Sequence, residues 1–137
     1  MIYKFAEDLN FNDLLKKESH ISKDILKNKI EKNEIIVAIV ENEIVGYLRF
    51  NYFWDEIPFM NMLFIDEDFR NKGIGSELVG FWENEMKKRD FTSFMTSSLS
   101  NERAQDFYKK LNYKDCGSLL LEDALEIIFI KKISSIL

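Results

Sequence analysis

The stretch DEDFRNKGIGSELVGFWENEMKKRD, residues 66–90, places two of the chain's five glycines, Gly73 and Gly75, at the start of a predicted helix. Apolar residues recur every four positions from Ile74 to Met86, which predicts a helix of about five turns. Glycine in a helix interior costs about 0.8–1 kcal/mol relative to alanine. The glycine pair therefore indicates that a bare backbone is needed at this helix start.

This loop and helix start have the features of an anion site. The first N–H groups of a helix have no intrahelical partner, and the helix dipole is positive at that end. Glycine at 73 and 75 would let a bulky diphosphate rest on these N–H groups, while Arg70 and Lys72 add positive charge. A tight helix start that holds no ligand is the alternative interpretation of the same residues.

Two common nucleotide-binding motifs do not fit this loop. A Walker P-loop has the pattern G-x-x-x-x-G-K-[ST], whereas here Lys72 precedes the first glycine. The Rossmann fingerprint needs a third glycine three residues after the second, and an acidic residue at the end of the next strand. Leu78 occupies the glycine position, and the next predicted strand ends in serines.

The rest of the chain predicts one α/β domain, residues 1–137, with a mixed sheet and the order β-α-α-β-β-β-α-β-α-β-β. Two short amphipathic helices follow the first strand, and a short helix is expected over residues 101–112. The nearly apolar run 58–66 is expected in the middle of the sheet. Strands are predicted over residues 2–6, 34–54 (two strands around Glu41-Asn42-Glu43), 58–66, 91–99 and on both sides of Glu122-Asp123.

The composition limits what the protein binds and where it works. A formal net charge of -5 argues against a binder of nucleic acids or anionic membranes. A single cysteine, Cys116, excludes an internal disulfide, and a single histidine, His20, leaves no zinc-ligand spacing, so no metal is expected. We expect Cys116 to be buried and His20 to be exposed at a helix start. No secretory or membrane-spanning pattern is present, so we expect a cytoplasmic protein.

Two motifs together resemble a known enzyme family. The pattern R-x-x-G-x-G of residues 70–75, between a strand and an amphipathic helix, resembles the acetyl-CoA diphosphate loop of the GNAT-type N-acetyltransferases. The sequence SNERAQDFYKKLNY, residues 100–113, is similar to the second family signature, S-N-x-x-A-x-x-F-Y-x-x-L-G-F. Asn112 and Tyr113 replace the final Gly-Phe, and asparagine tolerates the left-handed conformation. The resemblance covers residues 58–116.

The resemblance implies a mostly antiparallel GNAT-like sheet whose central strands, before and after the long helix, splay apart to hold the pantetheine arm of acetyl-CoA. Asn101 would bond this arm and also cap its helix. Tyr108 would protonate the departing thiolate, since a phenol with a reference pKa of about 10 keeps its proton at neutral pH. By itself, its place in the apolar helical stripe Ala104, Phe107, Tyr108 and Leu111 is more often that of a core residue than of a catalytic one. The resemblance further assigns the arm to Leu63, Phe64 and Ile65, and the diphosphate to Asn71, Lys72, Gly73, Ile74, Gly75 and Ser76 beside Arg70.

A general base is missing from the strands on which many relatives carry a glutamate. Asp55 and Glu56 are the nearest acidic candidates, although a solvated loop pair is the simpler interpretation, and Asn61 and Thr96 could order a water. The resemblance predicts transfer of an acetyl group from acetyl-CoA to a primary amine of a small molecule or peptide, by direct attack in a ternary complex. A non-catalytic acyl-CoA-binding module is the alternative.

The acceptor surface of the family is built from early helices and loops, which here correspond to residues 8–33 and 51–57. Acidic side chains in these segments favour a cationic acceptor. Strand edges near the C-terminus would allow a homodimer. The acidic residues are Glu18, Asp24, Asp55 and Glu56.

Overall fold

The computed structural model describes residues 1–133, and its helices and strands follow the predicted order. Two 3-10 turns, Asp8–Asn10 and Glu67–Phe69, add to these elements. The elements are β1 (Ile2–Phe5), α1 (Phe11–Lys17), α2 (Lys23–Glu31), β2 (Ile35–Val40), β3 (Glu43–Phe53), β4 (Ile57–Ile65), α3 (Ile74–Lys87), β5 (Ser93–Leu99), α4 (Ala104–Lys110), β6 (Lys114–Leu120) and β7 (Leu125–Lys132).

The strands form a seven-stranded sheet in the order β1-β2-β3-β4-β5-β7-β6. The β1–β2, β2–β3, β5–β7 and β6–β7 ladders are antiparallel, and β4–β5 is parallel. The parallel ladder pairs Phe59 with Met95 and Met60 with Thr96. The sheet is therefore mixed and mostly antiparallel with β4 in its interior, as predicted. Divergence of β4 and β5 beyond these pairs stays a prediction.

The chain divides into two compact units, one formed by Met1–Phe50 with Met62–Trp82, the other by Asn51–Asn61 with the segment from Glu83 onward. In the first unit, α1 and α2 bury apolar residues against β2 and β3, because helical spacing puts their leucines and isoleucines on one face. In the second unit, the buried residues include Phe94 and Phe129 on neighbouring strands. A single domain spanning residues 1–137 stays a prediction.

Left-handed residues make the tight turns of the sheet. Glu41 and Asn42 have φ values of 49° and 66°, so the predicted hairpin turn is confirmed. Trp54 and Asp55, with φ values of 54° and 58°, turn the chain between β3 and β4 in the same way. Both turns have the positive φ pair of a type I′ hairpin, whose twist matches that of the flanking strands.

Both helices of the predicted motifs are shorter than expected. α3 has 14 residues, which is about four turns rather than five, because Asp90 is left-handed and the Phe91 N–H bonds the Met86 carbonyl at 3.2 Å. α4 begins at Ala104, so Asn101 is not its N-cap. The chain first makes a separate turn, in which the Glu102 N–H bonds the Leu99 carbonyl at 3.1 Å.

The predictions for the single cysteine and the single histidine had different outcomes. Cys116 is exposed, not buried, because β6 is the edge strand of the sheet and all of its residues are exposed. The His20 side chain is 65% exposed, which confirms its predicted exposure. His20 precedes α2 rather than starting it, because the Ser22 hydroxyl caps this helix by accepting the Ile25 N–H at 3.2 Å.

Candidate active site

The predicted pantetheine segment, Leu63, Phe64 and Ile65, forms the end of β4 and is half-buried. The Phe64 ring stacks on Tyr47 with ring centroids 5.5 Å apart. Gly46 of β3 lets the two strands approach, since a Cβ there would lie 2.8 Å from both the Ile65 Cδ1 and the Phe64 carbonyl oxygen. Gly46 thus positions this segment. Gly46 was not among the predicted site residues, although a glycine inside an apolar strand is a known sign of close backbone approach.

Two polar contacts fix the loop that follows β4. The Lys17 ammonium donates to both carboxylate oxygens of Asp66 at 2.9 Å, and the Asp66 N–H bonds the Val45 carbonyl at 2.8 Å. Further along the loop, the Arg70 Nε donates to the Ile65 carbonyl at 3.0 Å. The structure therefore brings Arg70 of the predicted diphosphate loop against the end of the predicted pantetheine strand.

The backbone of the loop explains why a glycine stands at position 73. Gly73 has a φ of 84° and Asn71 a φ of 62°, and both values lie in the left-handed region. Apart from its two chain neighbours and the adjoining backbone, no atom lies within 4 Å of the position that a Cβ would take at Gly73. Backbone conformation, rather than crowding by protein atoms, is therefore what requires glycine here. The open space beside Gly73 is compatible with the close approach of a ligand.

The start of α3 supplies the hydrogen-bond donors. The Glu77 N–H bonds the Gly73 carbonyl at 3.0 Å and closes the first helical turn, so the N–H groups of Ile74, Gly75 and Ser76 precede that bond. Ile74 is buried and anchors the helix, while Ser76 is exposed. These donors, together with the positive end of the helix dipole, fit an anionic group such as a diphosphate.

The cations near the loop are exposed to solvent, whereas the nearby carboxylate of Glu77 has a tyrosine partner. The Lys72 ammonium lies 5.3 Å from the centroid of the Phe69 ring, and both Lys72 and Arg70 are exposed. The carboxylate of Glu77, in the first turn of α3, accepts the hydroxyl of Tyr3. Burial and this carboxylate raise the pKa of Tyr3, so its hydroxyl remains a donor at neutral pH.

A buried ionic cluster joins the end of α1 to β3. The Glu18 carboxylate accepts the His20 N–H at 2.8 Å, the Tyr47 hydroxyl at 2.9 Å and the Arg49 Nε at 3.1 Å. Burial alone would raise the pKa of Glu18, but these donors together hold that pKa below its ordinary value. The charge of Glu18 is therefore paired inside the protein, contrary to our expectation that it would favour a cationic acceptor.

In the second unit, Tyr108 is the buried residue of the predicted apolar stripe on α4. It is 7% exposed, and its ring centroid lies 5.8 Å from that of Phe129 and 6.1 Å from that of Tyr113. Asn112 has a φ of 73°, which confirms the predicted left-handed end of this helix. The reversal lets the Tyr113 N–H bond the Tyr108 carbonyl at 3.0 Å. Tyr108 is thus held by packing on two sides and by its backbone.

The surroundings of Tyr108 keep its phenol protonated. Burial raises the pKa of Tyr108, hydrogen bonding to the Thr96 side chain lowers it, and the charges of Glu102 and Glu126 raise it. The pKa lies above its ordinary value on balance. The hydroxyl therefore carries its proton throughout the physiological pH range, as a proton donor must.

The other polar residues that we predicted for the site lie on strands β4 and β5, in the turn before α4 and in the turn before β4. The Thr96 hydroxyl donates to the Met60 carbonyl at 2.9 Å, and the Asn61 amide donates to the Asn51 side chain at 2.6 Å, so each bonds a protein group. Asn101 is exposed in the turn before α4, and its role in cofactor binding stays a prediction. Asp55 and Glu56 are exposed in the turn that precedes β4.

Residues 1–133 contain neither a candidate metal site nor a helix that could span a membrane. In this part of the chain, no three or more histidine, cysteine or acidic side chains are grouped so that they could hold a metal ion. Over the same residues, none of the helices combines the length and the apolar character that crossing a membrane requires.

Solved acetyltransferase structures share this fold. A ribosomal-protein-alanine N-acetyltransferase from Brucella melitensis is 15% identical and superposes with a TM-score of 0.83, covering 97% of this chain and 100% of that one. Ard1 from Thermoplasma volcanium is 14% identical, with a TM-score of 0.82 and 98% of each chain covered. An aminoglycoside 6'-N-acetyltransferase complexed with coenzyme A is 18% identical, with a TM-score of 0.78 and 98% of each chain covered.

The family itself is identified by sequence. The profile of the acetyltransferase (GNAT) family matches residues 2–113, most of the chain. This span includes the loop after β4, the start of α3 and the α4 motif with Tyr108. The fold, the glycine loop and the profile therefore agree that this chain belongs to the GNAT family of acetyltransferases.

Proposed function

We propose that this protein transfers the acetyl group of acetyl-CoA to a primary amine of a small molecule or a peptide, by direct attack of the amine in a ternary complex. The observation that carries the proposal is the segment Arg70–Ser76, where a left-handed glycine leads into the start of α3. The Arg70 hydrogen bond to Ile65 joins this segment to the end of β4. Family membership supplies the class of reaction.

The loop fits the diphosphate of acetyl-CoA in shape and in charge. The space beside Gly73 is open, the first N–H groups of α3 are available in the helix geometry, and Arg70 and Lys72 are exposed cations. We expect the backbone of Leu63–Ile65 to bond the pantetheine arm, and Asn101 to bond its amide or carbonyl. Bound acetyl-CoA would supply the thioester carbonyl that the amine attacks.

We assign Tyr108 the role of general acid. A phenol with a raised pKa keeps its proton at neutral pH, so it can hydrogen-bond the sulfur and donate the proton as the C–S bond breaks. General-acid catalysis of this kind contributes roughly 10²–10⁴-fold to the rate. Binding and orientation of the two substrates supply the rest, so loss of the phenol should slow the reaction without abolishing it.

The acceptor is proposed to bind at residues 8–33 and 51–57. Exposed carboxylates in these segments, at Asp24, Asp55 and Glu56, favour an acceptor with positive charge. A polyamine, an aminoglycoside and a peptide N-terminus all have this character. Amines from these three groups form the screening set.

Thermal unfolding with excess acetyl-CoA, compared with NADH at the same concentration, tests the binding step. A ligand at about 100 times its dissociation constant adds roughly 2.7 kcal/mol of stability, which raises the Tm of a domain of this size by several degrees. Gly73→Val should remove the shift, because a branched residue is strained at a φ of 84°. A shift equal to that of the parent would refute the assigned loop.

Release of free thiol that depends on an added amine tests the chemical step. Tyr108→Phe should lower kcat by roughly 10²–10⁴-fold and leave the Kd for acetyl-CoA nearly unchanged. Gly80→Ala on α3, outside the proposed binding segments, is the control and should leave both unchanged. Acetyl-CoA binding without thiol release by any amine of the screening set would favour the non-catalytic acyl-CoA-binding module.

A further inference from the structure

The two ladders of β5 place Thr96 on the face of the sheet that Tyr108 covers. Thr96 pairs with Phe129 in the antiparallel β5–β7 ladder, and residues directly opposite in such a ladder project their side chains to the same face. The Tyr108 ring packs against Phe129 on this face, with centroids 5.8 Å apart. Thr96 and Tyr108 therefore share Phe129 as a neighbour.

The hydroxyl of Thr96 is buried and has one fixed partner. Thr96 is 1% exposed, and its Oγ1 donates to the Met60 carbonyl at 2.9 Å. A hydroxyl carries one donor hydrogen and two acceptor lone pairs, so this bond leaves the oxygen able to accept a second hydrogen bond. The Thr96 side chain lowers the pKa of Tyr108, which is the effect of a hydroxyl that can donate to the phenolate.

We infer that Thr96 is a positioning residue for the phenol of Tyr108. With its hydrogen on the Met60 carbonyl, Thr96 accepts the Tyr108 hydroxyl and fixes its direction. When Tyr108 has given up its proton, the Thr96 hydrogen can turn to the phenolate and stabilise its charge. This inference rests on the proposed function, because it matters for catalysis only when Tyr108 acts as the acid.

The proton transfers of this step balance. The amine nitrogen forms a bond to the thioester carbonyl carbon, the C–S bond breaks, and its electron pair goes to sulfur. The phenolic proton of Tyr108 moves to that sulfur and gives the free thiol. The amine loses its proton to solvent, and solvent returns a proton to the phenolate, so Thr96 itself neither gains nor loses a proton over the cycle.

Thr96→Val, which removes the hydroxyl and keeps the branched shape, tests the inference when it is made both in the parent and in Tyr108→Phe. In the parent it should lower kcat about tenfold or more, with little change in the KM for acetyl-CoA, because a hydrogen bond to a developing charge is lost. Thr96→Ser should restore most of the rate. In Tyr108→Phe, the valine should cause no further loss, since the partner hydroxyl is already absent.

Two results for the Thr96 variants would overturn the inference. An equal loss in both backgrounds would mean that Thr96 only ties β5 to β4 through Met60. A parent rate in Thr96→Val, when Tyr108→Phe is slow, would remove Thr96 from the mechanism and leave the proposed function intact. Thermal unfolding checks that each variant folds, and Thr96→Ala replaces the valine variant if that one does not. If Tyr108→Phe turns over like the parent, the acid role in the proposed function fails first, and the inference fails with it.

Discussion

Alanine at Gly46 should displace the end of β4. The added Cβ would lie 2.8 Å from the Ile65 Cδ1 and 2.8 Å from the Phe64 carbonyl oxygen, whereas ordinary van der Waals contact begins at 3.4 Å. The methyl group of Ile65 can turn away at little cost. The carbonyl oxygen belongs to the backbone, so β4 itself must retreat by about 0.6 Å, the difference between these two distances.

The shift of β4 should lower both the stability of the protein and its affinity for acetyl-CoA. Overpacking that shifts a backbone costs typically 1–3 kcal/mol, and about 2 kcal/mol corresponds to a fall in Tm of about 7 °C for a chain of this length. Residues 63–65 are also the segment that we expect to bond the pantetheine arm. Misplacing them should therefore weaken acetyl-CoA binding about tenfold in addition to the loss of stability.

Thermal unfolding and calorimetric titration with acetyl-CoA measure the two effects. Gly80→Ala is the matched control, because no atom beyond the adjacent residues and backbone of α3 lies within 4 Å of the Cβ it adds, and alanine is favoured over glycine inside a helix. This control should keep the parent affinity and equal or exceed the parent Tm. If Gly46→Ala also behaves like the parent, the close approach at Gly46 does not constrain β4, and its positioning role is wrong.

Substitutions at three further positions test single features by urea unfolding. Glu18→Gln should cost about 3 kcal/mol at pH 7, because it leaves the buried Arg49 without a counter-charge. Since the pKa of Glu18 is lowered by folding, its contribution is full above the unfolded pKa of about 4.3 and is lost as the pH falls through the folded pKa. The gap between parent and variant should thus narrow in acid, and a constant gap would contradict the pairing. Asn112→Ala should lower the free energy of unfolding by about 1 kcal/mol, whereas Asn112→Gly should leave it unchanged, because φ is 73° at this position. Equal stabilities of these two variants would contradict strain in the alanine variant. Gly73→Ala should lower the free energy of unfolding by about 1 kcal/mol even though the space beside Gly73 is open, because its φ of 84° strains an alanine. An unchanged free energy of unfolding would mean that this φ is not required.

Signals that are local in sequence predicted most of the fold. The change from alternating to helical periodicity gave the order of the elements, and the left-handed turn at Asn42 and the helix end at Asn112 follow from the side-chain chemistry of asparagine. The exposure of Cys116 was not predictable in this way. The chain reaches β6 before β7, yet β7 lies between β5 and β6, so the strand that follows the motif is the edge strand.

The features of the candidate site also differ in whether they could be predicted from one segment of the sequence. The loop that contains Gly73 is one continuous segment, so its glycine spacing, taken together with the second motif, could be recognised in the sequence. The Glu18–Arg49 pair joins residues 31 positions apart, and Gly46 matters only because β4 passes beside it. Contacts of this kind depend on which elements pack together, and no pattern within either segment encodes the partner.

The strands β4 and β5 carry no carboxylate, and this affects how the rate depends on pH. An alkylamine acceptor with a pKa of about 10 is almost entirely protonated at neutral pH, and only the neutral amine attacks. If solvent takes the proton, kcat/KM should rise tenfold per pH unit and level off at the pKa of the acceptor, so that a less basic amine levels off earlier. With a protein base, kcat/KM would instead level off at the same pH for every acceptor, because the pKa of that base in the free enzyme would set this bend in the pH profile. We expect the bend to follow the acceptor. A shared bend that disappears in Asp55→Asn or Glu56→Gln would refute this and identify the base.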